Sequence, residues 1–130
     1  MIKITLLGKQ VSTQNAYWQT RNRRYMKADA KIMKSSYIQQ VCEQYKGKLI
    51  EGDLTAIVEL HFTNRLRRDR DNRHKISMDS MEGIIFKDDT QIQTAVVSKY
   101  LDKENPRIVI YLLEWNLCKD ISWLLLRQED

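Results

Sequence analysis

Two short stretches hold most of the residues able to do chemistry: Arg67-Arg68-Asp69-Arg70-Asp71-Asn72-Arg73-His74-Lys75, and Lys87-Asp88-Asp89. In extended backbone Asp69 and Asp71 project to the same side. Asp71 stands at the mouth of an expected helix, where free N–H groups and the helix dipole favour negative charge. Lys75 lies one turn into that helix, and helical side chains lean toward the N-terminus, so its ammonium reaches back to the two aspartates. Asp88 and Asp89 close the connection from this helix to the next strand. If that strand pairs beside the one ending at Phe62, a third carboxylate returns to the same place. Clustered acids raise one another's pKa unless a cation sits among them. A hard divalent ion such as Mg²⁺ takes oxygen ligands and often shares its shell with a phosphate. Acids to hold metal, surrounded by bases to hold a phosphodiester backbone, spell metal-dependent phosphodiester hydrolysis.

The same residues admit a plainer reading. Asp69 and Asp71 can pair with neighbouring arginines on the surface, a contribution of about 0–1 kcal/mol. Asp71 or Asn72 can serve only as a helix N-cap, Asp88-Asp89 only as a polar turn, and Asp79 as a helical ion-pair partner of Lys75.

The distribution of charge supports a polyanionic partner. Of 22 Lys and Arg and 17 Asp and Glu, twelve bases and three acids fall in positions 21–34 and 65–75, while the rest of the chain is net negative. Arg21, Arg23, Arg24, Lys27, Lys31, Lys34, Arg65, Arg67, Arg68, Arg70 and Arg73 are the expected DNA-binding bases, each phosphate contact releasing counterions. Tyr17, Trp18 and Tyr25, interleaved with arginines, are placed either to stack on bases or simply to pack. Other chemistries fail on inventory. Two histidines, His61 and His74, cannot build a histidine-rich metal site, and no GxxxxGK[ST], GxSxG or GxGxxG motif occurs. Cys42 and Cys118 lack metal or disulfide-framework spacing. No apolar run approaches the roughly 20 residues of a membrane span, and no signal-peptide pattern opens the chain, so a reducing cytoplasm is the expected setting.

One domain is expected of 130 residues that are 42% hydrophobic and 30% charged. Alternation predicts a strand over Ile2, Ile4 and Leu6, a polar loop from Gly8 to Thr20, and a strand over 54–62. Ala30, Met33, Tyr37 and Val41 predict a helix from about Lys27 to Lys46. A second helix is predicted from Asn72 to about Ile85 on Met78, Met81 and Ile85. Strands follow near Gln91–Tyr100 and Arg107–Glu114, joined by a turn at Asp102, Asn105 and Pro106. The fold class is α/β (α+β): a single compact domain, a mixed sheet with helices packed on it. Residues 1–114 form the domain and 115–130 its C-terminal helical extension, with Leu117, Ile121, Leu124 and Leu125 at a helical spacing that either caps the core or meets a partner subunit, the interface being the expectation.

Asp69-Arg-Asp71-Asn72, Lys75, Asp79 and Asp88-Asp89-Gln91, in that order and spacing, resemble the signature of RusA-type Holliday junction resolvases, endodeoxyribonucleases of bacteria and their prophages. Ser12 to Tyr17, including Asn15, is similar to the family's Ser/Asn-rich loop, and coverage runs over roughly residues 2–114. The resemblance implies a homodimer that uses Mg²⁺, with Mn²⁺ able to substitute, to place paired nicks across a four-way DNA junction in recombination and repair. It implies catalytic metal-binding acids at Asp69, Asp71 and Asp89, a catalytic lysine at Lys75, and a less critical acid at Asp88. Asn15 joins the expected DNA contacts on the same ground. Two copies also make physical sense, because one chain carries one acid set and resolution needs two symmetric cuts leaving 5′-phosphate ends. The alternatives are a non-cutting protein that binds branched DNA and a nuclease acting mainly on forks or flaps.

Overall fold

The alternation at the start of the chain forms β1 (Ile2–Leu7), with Ile4 and Leu6 turned fully into the core. A computed structural model describes residues 1–8, 17–19, 24–26, 28–63 and 75–115. Two three-residue strands follow, β2 (Tyr17–Gln19) and β3 (Arg24–Met26), paired antiparallel with Trp18 opposite Tyr25. The polar loop expected from Gly8 to Thr20 is therefore interrupted by a strand. Aromatic Tyr17 and Trp18 carry high strand propensity, and three residues are too few for alternation to reveal it.

Helix α1 (Ala28–Gln44) follows, 17 residues long and about 25 Å from end to end. It buries Ala30, Tyr37 and Val41 and packs partly buried Met33 against them, which is the expected stripe. Strand β4 (Leu54–Phe62) comes next. Helix α2 (Lys75–Met81) is shorter than its apolar stripe suggested, although Ile76, Met78 and Met81 all reach the core. Gly83 stops it: at φ +84° it adopts a conformation costly to other residues, and the amides of Ile84 and Ile85 fold back onto the Met81 carbonyl. Ile85 stays buried, but in the turn rather than on the helix.

A single 3-10 turn, Asp89–Gln91, leads into β5 (Ile92–Leu101), and β6 (Arg107–Glu114) completes the elements. Their connection is held by Asp102, whose carboxylate accepts from the amides of Glu104 and Asn105 and from the Arg107 guanidinium at 2.6 Å. That guanidinium holds the Asp102 carboxyl below its ordinary pKa.

The strands form a mixed four-stranded sheet in the order β1-β6-β4-β5. β6 runs antiparallel to β1 and β4, whereas β4 and β5 are parallel, so α2 is the crossover between them. The two helices and the sheet make one α+β domain. Helices α1 and α2 cover the face carrying Ile4, Leu6, Leu54, Val58, Leu60, Ile108 and Ile110, all fully or almost fully buried. The other face has its own apolar group of Ile57, Leu113, Val96 and Tyr111. There, His61 stacks on Tyr100 with ring centroids 5.0 Å apart and lies 3.3 Å from Glu59.

Side-chain amides close the outer border of β1. Gln44 accepts from the Thr5 amide at 2.8 Å and donates to the Thr5 carbonyl at 2.7 Å, and Gln40 does the same for Leu7 at 2.7 and 3.2 Å. Two glutamines one helical turn apart thus imitate a neighbouring strand, answering edge groups that would otherwise invite another chain. No helix among the described residues is long and apolar enough to cross a membrane.

Candidate functional site

The site is built on the reversal that Gly83 starts. Beyond it Ile85 and Phe86 are fully buried, the Gly83 amide donates to the Phe86 carbonyl, and the Ile50 amide donates to the Ile85 carbonyl. This apolar plug fixes the backbone between Glu82 and Lys87, leaving the acids on either side of it in solvent. Asp88 caps the 3-10 turn, its Oδ1 accepting the Thr90 amide at 3.0 Å. Gln91, almost buried, locks the turn from below. Its Oε1 accepts from the amides of Lys87 and Asp88, and its Nε2 donates to the carbonyls of Ile50 and Gly52, all at 2.8 to 2.9 Å.

This turn delivers Asp89 to Glu82. The Asp89 amide donates to Glu82 Oε1 at 3.0 Å, and one carboxylate oxygen each from Glu82, Asp88 and Asp89 lie within 4.8 Å of one another. The crowding registers in their titration. A hydrogen bond shared with Asp88, some desolvation and the charge of Glu82 raise the Asp89 pKa, while the Lys75 ammonium pulls it down. Asp88 moves the other way, lowered chiefly by the Thr90 amide and also by its bond to Asp89. Asp88 thus favours its charged form and Asp89 its neutral one, relative to an ordinary aspartate. Every donor here is a carboxylate oxygen, the kind a hard cation takes.

Of the sequence-derived set, the structure brings Lys75 and Asp89 into electrostatic reach of each other. Asp69 and Asp71 lie outside the described residues, as do Asn15, Arg21, Arg23, Lys27, Arg65, Arg67, Arg68, Arg70 and Arg73. Arg24 is on β3, and Lys31 and Lys34 are on α1, Lys31 exposed and Lys34 half-buried. The tail residues Leu117, Ile121, Leu124 and Leu125 also lie outside the description.

Two expectations need correcting. Strand β5 does pair beside β4, but in parallel, with Ile92 opposite Leu54. Asp89 therefore sits at the Leu54 end of β4 and not at the Phe62 end from which the Arg67–Lys75 run departs. It meets Lys75 through α2 and the Gly83 turn, not across the sheet. The ion pair expected between Lys75 and Asp79 is not formed either: among the described residues the ion pairs are Glu59–His61 and Asp102–Arg107. Lys75 opens the described part of α2, and its charge is felt at Asp89.

Sequence reasoning passed over Glu82. Its signal was available only in combination, an acid followed at once by a glycine able to reverse the chain six residues before a second acid pair.

A family model described as endodeoxyribonuclease RusA matches residues 8–112. No curated protein matches the chain. The matched span carries Asn15, the Asp69-Asp71-Lys75 run, the Asp88-Asp89 turn, β4, β5 and most of β6, and begins just after β1. With a fold and an acid-and-lysine order that fall inside one model from near the first strand to the last, the chain belongs to the RusA endodeoxyribonuclease family.

Proposed function

We propose that this chain, an endodeoxyribonuclease by family, is a divalent-metal-dependent, structure-selective enzyme that resolves four-way DNA junctions as a homodimer. The observation that carries the proposal is the fixed turn holding Asp89 beside two further carboxylates with Lys75 in reach. Only four peptide units separate Lys75 from Asp71, so covalent geometry caps their Cα distance at about 14 Å, and that of Asp69 at about 21 Å. These limits leave both aspartates free to reach the neighbourhood of Lys75 and Asp89.

Asp69, Asp71 and Asp89 would hold Mg²⁺, or Mn²⁺ in its place. The described acids around Asp89, namely Glu82 and Asp88, suit such an ion in kind, since they offer carboxylate oxygen and no histidine or cysteine. A bound ion of this kind supplies an activated water and neutralises charge developing on the scissile phosphate, leaving a 5′-phosphate. Lys75, near the acids but not paired, orients the attacking water or neutralises the phosphate. Lys31 and Lys34, with the arginines of 21–24 and 65–73 and with Asn15, position the backbone of branched DNA without reading its sequence.

A labelled four-way junction incubated with the protein and Mg²⁺, against the same mixture with EDTA, tests this. Symmetric nicks that EDTA abolishes are expected. Binding without cutting in either mixture would reduce the protein to a junction-binding module, and faster cutting of forks or flaps would redirect its substrate.

A further inference from the structure

We infer that the hollow between the start of β4 and the end of β6 is a subsite for one unpaired DNA base carrying an exocyclic amino group, an inference that rests on the junction-cleaving reading above. Ile50, Gly52, Asp53, Glu114 and Trp115 line a cavity of about 210 Å³. A drug-sized ligand takes roughly 300–1,000 Å³, so this space suits a single flat ring system.

Its frame is fixed by the backbone. The Trp115 amide donates to the Asp53 carbonyl at 3.0 Å, and Leu54 stands opposite Glu114 across the paired strands. The cavity also adjoins the acid-bearing turn. The Ile50 and Gly52 carbonyls both accept from Gln91 Nε2, while Oε1 of the same side chain accepts from the amides of Lys87 and Asp88. One glutamine side chain therefore separates the cavity wall from the turn that carries Asp89. A strand whose phosphate meets the acids has a base within reach of the cavity.

The lining selects a base over the sugar-phosphate backbone. Trp115, half-buried, offers an indole ring, and stacking on such a ring suits the face of any base. Asp53 and Glu114 are exposed, and among the described residues neither has a Lys or Arg within ion-pair distance. Carboxylates without a cation repel phosphate and only accept hydrogen bonds. The donors that suit them are the amino groups of cytosine, adenine and guanine, whereas thymine carries a carbonyl where cytosine carries its amino group. A base reaches such a cavity only where pairing and stacking are broken, as at a branch point. The subsite thus adds a preference for base to a preference for structure.

The test is photocrosslinking of the full chain, with EDTA present so that nothing is cut, to a four-way junction carrying one 5-iodocytosine or one 5-iodouracil beside the branch point. Mass spectrometry identifies the residue joined. A crosslink at Trp115, with the cytosine yield exceeding the uracil yield on the order of fivefold or more, is the expected result. Asp53→Ala combined with Glu114→Ala should bring that ratio down to about one, and a ratio left unchanged would overturn the role of the carboxylates. Equal yields from the two bases in the wild type would overturn the selection for an amino group. Crosslinks confined to other residues would overturn the subsite while leaving junction cleavage intact, and no junction binding at all would overturn both. Since Asp53 and Glu114 are exposed, the double variant should fold, and unchanged far-ultraviolet circular dichroism checks that.

Discussion

Asp89 is held in a setting that penalises its own charge, and its behaviour toward protons should report what it binds. Its pKa is raised, so in metal-free protein its contribution to stability is present at acid pH and lost as pH rises through the folded-state value. A cation reverses that loss. Mn²⁺ should therefore raise Tm at neutral pH and cease to do so once pH falls through the raised Asp89 pKa, measured by thermal melts with and without the ion across pH 3 to 8. Asp89→Asn should keep junction affinity within about twofold while lowering the cleavage rate on the order of a hundredfold or more. Gel-shift and single-turnover assays on one junction check both.

Tyr37 offers a residue-scale test far from the acids. Its hydroxyl is buried with no hydrogen-bond partner among the described residues, and burial pushes its pKa up to about 12. Removing an unanswered buried hydroxyl should stabilise, so Tyr37→Phe is expected to raise stability by about 1 kcal/mol, roughly 3 °C in Tm. The sign with pH follows from the raised value. Stability is complete below the ordinary tyrosine pKa of about 10 and is lost as pH approaches 12, a loss the phenylalanine variant should lack in alkaline denaturation curves.

At the level of elements, Gln91 and Gly83 carry the site without touching substrate. Gln91→Ala leaves the Ile50 and Gly52 carbonyls and two turn amides without their partner, and should cost about 2 kcal/mol while loosening the Asp88–Asp89 turn. Reduced cleavage with a lower urea midpoint is the expected pair of results. Elements with long periodic patterns were readable: β1, β4, β6 and the buried stripe of α1 follow directly from side-chain alternation or helical spacing. The hairpin of β2 and β3 was not, since three-residue strands have no period to detect. That Asp89 and Lys75 come within electrostatic reach of each other was legible from residue type and order. Glu82 was not, because its closeness to Asp89 arises from a chain reversal and a buried plug rather than from spacing. The parallel run of β5 beside β4 escaped for the same reason, since adjacency of strands does not declare their direction.

For the whole molecule, twofold DNA geometry sets the expectation that two chains act together, with 115–130 as an extension serving their interface. Ending the chain after Glu114 should lower the sedimentation coefficient toward that of a single chain, and an unchanged value in analytical ultracentrifugation would count against this use of the tail. The two glutamines along β1 bear on how the molecule ages. Only an amide presents one donor and one acceptor as a peptide group does, so slow deamidation of Gln40 or Gln44 would set a carboxylate against the Leu7 or Thr5 carbonyl. Old preparations would then expose that border, and fibre-like self-association would accumulate with storage time while the acid-bearing turn on the far side of α2 stayed intact.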